Sequence, residues 1–309
     1  MIKKLLSFPY QLAHLISESV FNVFGEKKKL PRPVISIGNI SFGGTGKTPV
    51  TYEIVKYLSQ QGKKVAILSR GYKSQYENSC MTFSSSETGL DAKIIGDEPF
   101  MLLEKFKADG LEVYFAIGRK RYENGLELLE RFPEIDCFVL DDGLQHFKLA
   151  RDIEIILENA NENGFYREFD FALKKADFLI HTKVDENWIK ENLGKNCALF
   201  NLELTQNLQY EGANVGVFTA IADYASFVSM LKRNLNLTDA QVQIIKYSDH
   251  HYFSLQEIER ATDLGIELVT TEKDWCKIPE EFRPKFKLAK LVCKFEPKEL
   301  LTQIFQQIT

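Results

Sequence analysis

Cysteine is scarce and scattered in this chain. Its 309 residues hold five, Cys80, Cys137, Cys197, Cys276 and Cys293, with no C-x-x-C pair and no histidine nearby at zinc-ligand spacing. That excludes a disulfide-stapled scaffold and a structural zinc module, and fits reduced thiols in a cytosolic environment. No apolar run approaches the ~20 residues that a membrane-spanning helix needs. An excess of positive charge is also missing: 39 Lys and Arg against 43 Asp and Glu leave a net charge of -4, without the basic footprint of a nucleic-acid binder. Internal repeats and long low-complexity tracts are absent too. What remains is an ordinary globular composition, 44% hydrophobic and 27% charged, on a chain long enough for two domains.

The amino terminus departs from this average. In "MIKKLLSFPYQLAHLISESVFNVFGEKKKLPRP", Leu12, Leu15, Ile16, Val20, Val23 and Phe24 recur at helical spacing, with Pro9 tolerated in a first turn. Pro9, His14 and Glu18 interrupt any signal-like core and no small-x-small cleavage site follows, so the segment is expected to be retained. Lys3, Lys4, Lys27, Lys28, Lys29 and Arg32 outweigh Glu18 and Glu26. A basic amphipathic helix suits an anionic bilayer surface. A helix packed on its own domain with its lysines in solvent would read the same way.

Short β-branched runs then alternate with helical-period segments, which predicts βαβ units and a parallel sheet. The strands are expected at 33–39, 63–70, 113–118, 137–142, 153–159 and 177–183, and later at 215–221, 243–249, 267–273 and 290–295. The Ser-rich stretch 73–91 reads as a loop or short hairpin. A boundary is expected at 205–212, "TQNLQYEG", dividing the chain into an amino-terminal helix (1–30), a larger domain (31–208) and a smaller α/β domain (209–309).

In open parallel sheets, ligands sit at the carboxyl ends of the strands, and the chemically suggestive residues follow predicted strands. "PVISIGN" runs into "ISFGGTGKTPV", the strand, glycine loop, helix order of a phosphate-binding loop. Ser41, Phe42, Gly43, Gly44, Thr45 and Gly46 would form its backbone cradle, while Lys47 supplies charge and Thr48 a hydroxyl for Mg²⁺. Ser41 stands where the strict G-x-x-x-x-G-K-[ST] pattern has glycine. That first glycine mainly sets the loop's entry.

"DCFVLDDG" places Asp141 and Asp142 at the tip of an apolar strand, where P-loop enzymes hold Mg²⁺; alone, Asp-Asp-Gly is also a turn signal. Gln145 and His146 follow on the same rim. Asp97, before Glu98-Pro99, fits a helix N-cap, and a functional carboxylate would look identical. "YSDHHYFSLQE" sets Asp249, His250 and His251 ahead of a capping box from Ser254 to Glu257. A His–Asp pair across a cleft could deprotonate a hydroxyl acceptor. "HTKVD" (181–185) imitates the T-K-x-D element of GTPases, which keeps a P-loop GTPase or ATPase switch at the membrane surface as an alternative; the D-x-x-G partner of that element is missing.

Taken in order, "LPRPVISIGNISFGGTGKTPV", "ILSRGY", "IGDEP", "VLDDGLQHFKLARDIEI", "SDHHYF" and "TTEKD" resemble the tetraacyldisaccharide 4'-kinase (lipid A 4'-kinase) family. The resemblance implies a P-loop NTPase-type, mainly parallel α/β sheet flanked by helices, and transfer of the ATP γ-phosphate to the 4'-hydroxyl of a tetraacyldisaccharide 1-phosphate. It implies Asp97 as base with His250 as its partner, ATP phosphates on the 41–48 loop, and Mg²⁺ near Thr48, Asp141 and Asp142. Glu98, Arg121, Gln145 and His146 would be rim residues. It also implies a peripheral enzyme on the cytoplasmic face of the inner membrane, its first helix on the anionic bilayer and a lipid A disaccharide precursor as acceptor. One departure stands out: Arg167-Glu168 in "ENGFYREFDF" lacks the family's Pro-Ala-Gly-like lead-in, which leaves their place on the substrate side open.

Overall fold

The computed structural model describes residues 2–160, 165–205 and 214–308. The chain divides into two compact units, Met1–Leu199 with Cys293–Thr309, and Phe200–Val292. The boundary expected at 205–212 falls largely on residues outside those described.

The first unit begins with helix α1 (Ile2–Phe24) and strand β1 (Val34–Asn39), followed by α2 (Lys47–Gln60), β2 (Val65–Ser69) and β3 (Met81–Ser84). Then come α3 (Ala92–Ile95), α4 (Asp97–Ala108), β4 (Val113–Ile117), α5 (Arg121–Arg131), β5 (Cys137–Asp141), β6 (Ile153–Asn159), β7 (Phe178–Thr182) and α6 (Glu186–Glu191). The chain leaves this unit along β8 (Cys197–Leu204). The second unit holds β9 (Val215–Thr219), α7 (Tyr224–Leu235), β10 (Val242–Lys246), α8 (Leu255–Thr262), β11 (Glu267–Thr271) and α9 (Glu272–Trp275). The chain returns along β12 (Phe286–Glu296) to α10 (Leu300–Gln306), which lies with the first unit.

Strand order in the first unit is β8-β7-β6-β1-β5-β2-β4-β3, parallel except for the antiparallel edge pair β3–β4. Every residue of β1, β2, β4 and β5 is buried. Helices cover both faces of such strands, so their sequences are apolar runs rather than alternations. Leu30, Val34, Ala66, Leu68, Tyr114, Leu128, Phe138 and Leu140 interdigitate on one side. At roughly 1.5–3 kcal/mol per fully buried large side chain, this core holds the strand tips rigidly enough to carry a site. The second unit repeats the design as β10-β9-β11-β12, parallel throughout, around Val217, Phe227, Leu231 and Val269.

The expected strands are all present. The structure adds β3, inside the Ser-rich stretch, and β8, which the sequence reading omitted. Cys137, Cys197 and Cys293 are buried and Cys80 and Cys276 partly so, all as free thiols.

Helix α1 is packed inside out. Its most buried described side chains are polar, Ser7 and Gln11, each 3% exposed. Ser7 Oγ accepts the Tyr166 N–H at 2.8 Å and Gln11 Nε2–H donates to the Glu168 carbonyl at 2.7 Å. Further along, Glu18 pairs with Lys175 and Phe21 packs on Phe147. Leu6, Phe8, Leu12, Ile16, Val20, Val23 and Phe24 meanwhile face out, Phe24 at 85% exposure. A surface helix ordinarily turns its apolar stripe to the core. Here a contiguous apolar stripe is left exposed, which marks an interaction surface.

Candidate active site

The phosphate-binding loop lies between β1 and α2. Gly43 and Gly46 have φ of 99° and 85°, left-handed values that only glycine adopts without strain, and Gly46 stands at the N-cap position of α2. Ser41 needs no such freedom: it forms an antiparallel bridge with Tyr166, and the Phe42 N–H donates to the Phe165 carbonyl at 2.7 Å. The residue that breaks the strict motif is therefore a short strand position. Thr45 is 2% exposed, and its Oγ1 has no hydrogen-bond partner among the described residues. A buried, unpartnered hydroxyl within a glycine loop suits a phosphate oxygen.

Lys47 Nζ donates to Asn39 Oδ1 at 2.9 Å and stands 3.3 Å from Asp142. Asn39 also ties the loop together through Nδ2–H to the Ser41 carbonyl, 2.6 Å, while its own carbonyl accepts from Gln145 Nε2 at 3.1 Å. Sequence reasoning missed Asn39, since an asparagine closing a strand carries no signal beyond its position.

The two aspartates at the end of β5 separate cleanly. Asp141 is the last strand residue, 4% exposed, with Thr51 Oγ1 and Ser69 Oγ at 3.4 and 3.5 Å, the outer limit of hydrogen bonding. Burial, with the charges of Glu98 and Asp142, pushes its carboxyl up to about 7. Asp142 follows in a left-handed turn, φ 51°, and Arg167 Nη1 reaches both its oxygens at 3.0 Å. Burial opposes its ionisation, but Lys47 and Arg167 outweigh that and hold it below the usual carboxylate range. Gly143 completes the turn because nothing larger fits: a Cβ there would stand 2.3 Å from Ser36 Oγ.

Asp97 and Glu98 open α4. The N-cap position belongs to Gly96, which corrects the cap reading of Asp97: it is the first helical residue, 4% exposed, its Oδ1 accepting the Glu98 N–H at 2.9 Å. The neighbouring Asp91 does the capping, for α3. Arg121, at the start of α5, is 5% exposed and donates from Nη1 to the Gly118 carbonyl at 2.7 Å. Burial lowers its guanidinium to about 10 against the pull of Asp141 and Asp142, so it remains a cation at neutral pH. His146 is pushed down to about 4 by burial and by Arg121, Arg151 and Lys148, and is a neutral ring there. Thr48 lies in the first turn of α2, partly exposed.

Arg167 and Glu168 part company. The Arg167 guanidinium lies 5.0 Å over the Phe42 ring and clamps Asp142, so it belongs to the phosphate loop. Glu168, 5% exposed, faces α1, with its carboxylate 2.9 Å from His14 Nδ1. In "HTKVD", Asp185 caps α6 by accepting the Trp188 N–H at 2.8 Å, and His181 packs on Trp188. That local structural work accounts for the segment without a guanine base.

In the second unit, His250 follows β10 in a left-handed conformation, φ 60°, its Nε2 3.6 Å from Asp249 Oδ2 and 3.4 Å from Lys273 Nζ. The capping box from Ser254 to Glu257 forms as expected, and Glu257 also meets His251.

A glycine loop delivering a lysine to a helix start, beside a buried acidic strand end on a parallel sheet, defines a P-loop kinase fold. The chain matches the family described as tetraacyldisaccharide-1-P 4'-kinase over residues 2–309. It is 38% identical over 302 residues to the tetraacyldisaccharide 4'-kinase of Geobacter metallireducens, covering 88% of this chain and 87% of that one. With the same-named protein of Pelobacter propionicus it shares 33% over 296 residues, 86% and 80% of the two chains. Among solved structures, an LpxK from Aquifex aeolicus in complex with ATP superposes with a TM-score of 0.75 at 26% identity, covering the whole of both chains. The chain belongs to the tetraacyldisaccharide-1-P 4'-kinase family.

Proposed function

We propose that this chain transfers the γ-phosphate of ATP to the 4'-hydroxyl of a tetraacyldisaccharide 1-phosphate at a membrane surface. The observation that carries this reading is the convergence of the 41–48 loop, the carboxyl-rich end of β5 and the Asp97–Glu98 helix start on one sheet edge, the edge where α/β proteins bind ligands. Loop N–H groups and Lys47 hold the donor phosphates. Asp97 takes the acceptor hydroxyl's proton, and His250 is read as the second catalytic residue.

Mg²⁺ fits the donor set. No group of three or more His, Cys, Asp or Glu among the described residues is arranged to hold a metal unaided. Mg²⁺ takes one or two carboxylates and completes its shell with phosphates and water. Asp141, loosely bonded and held up near 7 by burial and by the neighbouring Glu98 and Asp142, is the ligand this points to, and the Thr48 hydroxyl is proposed as a second. Asp142 is already neutralised by Lys47 and Arg167. Mg²⁺ held there would supply positive charge against the negative charge that develops in phosphoryl transfer. The protein's own task is positioning: Asn39 sets Lys47, Arg167 clamps Asp142 while lying over Phe42, and the Arg121 charge offsets Asp141 and Asp142.

The exposed apolar stripe of α1 serves as the membrane contact, its polar edge fastened to the first unit through Ser7, Gln11 and Glu18. No helix among the described residues is long and apolar enough to cross a bilayer, so this contact lies in the interface plane. Replacing Ile16 and Val23 together by glutamate leaves the fastening residues in place. It is expected to lower partition onto vesicles containing phosphatidylglycerol by about tenfold or more, each buried aliphatic side chain contributing roughly 1.5–3 kcal/mol. Unchanged partition would remove α1 as the anchor. For the donor, competition binding is expected to favour ATP over GTP; preference for GTP would overturn the kinase reading in favour of a switch protein.

A further inference from the structure

The segment "TTEKD" (270–274) is built around His250. Asp274 is fully buried. Its Oδ2 accepts the Thr219 and Thr271 hydroxyls at 2.8 and 3.0 Å and the Ala220 N–H at 3.0 Å. Lys277, its side chain equally buried, stands 3.2 Å from the other oxygen. Removing one member of such a pair leaves an uncompensated charge in the core, which fixes the arrangement firmly. The same Ala220 that donates to Asp274 accepts the His250 N–H through its carbonyl at 3.2 Å. One carboxylate therefore positions the ends of β9 and β11 and, through Ala220, the backbone of His250. That backbone is in the left-handed region, costly for a residue other than glycine and kept only where the surroundings impose it.

The neighbouring residue reaches the ring itself. Lys273 Nζ lies 3.4 Å from His250 Nε2 and 3.9 Å from Asp249 Oδ1, and Asp249 Oδ2 is 3.6 Å from the same ring nitrogen. The Lys273 and His250 side chains are about 15% exposed, so both are largely held by protein. An ammonium can only donate. Nε2 is then the acceptor, and a neutral His250 ring carries its proton on Nδ1. Consecutive residues of α9 thus fix the same histidine twice, Asp274 through its backbone and Lys273 through its imidazole.

We propose that Lys273 is the positioning residue of His250, setting the ring's orientation and tautomer for the phosphoryl acceptor while Asp274 holds the turn beneath it. This rests on the reading of His250 as a catalytic residue. Lys273 acts through the histidine and touches neither substrate.

The test is a double-mutant cycle with labelled ATP and tetraacyldisaccharide 1-phosphate, comparing Lys273→Met, Lys273→Arg, His250→Ala and the pair Lys273→Met with His250→Ala. Methionine keeps the aliphatic stem, and melting temperatures confirm that each variant folds. Lys273→Met is expected to lower kcat by roughly ten- to hundredfold, the scale on which small misplacements act, with KM for ATP unchanged. Lys273→Arg should recover most of that loss. In the His250→Ala background Lys273→Met should cost nothing more, because residues acting as one unit are not additive. Additive losses, or a raised KM for ATP at unchanged kcat, would make Lys273 a phosphate ligand and overturn the inference. A wild-type kcat in Lys273→Met with His250→Ala inactive would overturn it while sparing the reading of His250. A fully active His250→Ala would remove that reading and the inference with it.

Discussion

Asp97→Asn is expected to lose phosphoryl transfer by about 10²–10⁴-fold in kcat, the range assigned to a positioned general base, while ATP still binds. Asparagine retains the volume of the aspartate and the oxygen that accepts the Glu98 N–H, so the start of α4 survives and only the proton acceptor is lost. Asp97→Ala should show the same chemical loss with a small added cost at the helix start. Asp97 is the first residue of α4 and only 4% exposed, so the change to asparagine is made on a side chain enclosed by protein. Turnover of Asp97→Asn at the parent rate would remove it as base. Loss of ATP binding in the same variant would show instead that α4 shapes the nucleotide site.

The second large effect concerns Asp141 and has opposite signs for activity and stability. Its carboxyl is pushed up to about 7 in the folded protein by burial and by Glu98 and Asp142, against about 3.9 in an unfolded chain. Between these values the folded state binds the proton that the unfolded state has released. Stability of the ligand-free protein therefore falls as pH rises from about 4 to about 7 and stays lowered above it. The neutral amide introduced by Asp141→Asn mimics the protonated carboxyl. That variant should be more stable than the parent at pH 8, by up to roughly 4 kcal/mol, with the difference vanishing near pH 4. Turnover should fall by more than about 10²-fold, since even outer-shell changes at metal sites cost 10–100-fold. Melting curves at pH 5 and 8 without nucleotide check the first half. A ligand-free Asp141→Asn no more stable than the parent at pH 8 would mean the carboxylate is better compensated than its neighbours indicate.

What could be read in the sequence depends on the range over which each feature is determined. Strands β1, β2, β4 and β5 were legible because burial on both faces leaves an unbroken apolar run. Strand β8 was not: its outer half is only partly buried, and "CALFNLEL" matches neither template cleanly. Strand β3 hides in a Ser-rich stretch because an antiparallel edge strand needs little more than one neighbour. The phosphate loop was legible as a local motif, and so were the aspartates ending β5. Their division of labour was not, because it depends on Lys47 and on Arg167, distant in sequence from Asp142. Ser41 looked irregular in the motif until its bridge to Tyr166 explained it. Helix α1 showed its amphipathic period but not which face turns inward. That depends on the backbone at Tyr166 and Glu168 meeting Ser7 and Gln11.

The proposed chemistry draws on a donor loop whose cation is fixed by Asn39 and Asp142 and on a buried carboxylate at the head of α4. Family membership names the reaction, and the geometry suggests its parts. The most direct test is incubation of the protein with γ-labelled ATP, Mg²⁺ and a tetraacyldisaccharide 1-phosphate in mixed micelles, followed by locating the label on the product. Label on the 4' position, lost in Asp97→Asn, is the expected result. Label released only as inorganic phosphate, or ATP turnover indifferent to the acceptor, would contradict the account.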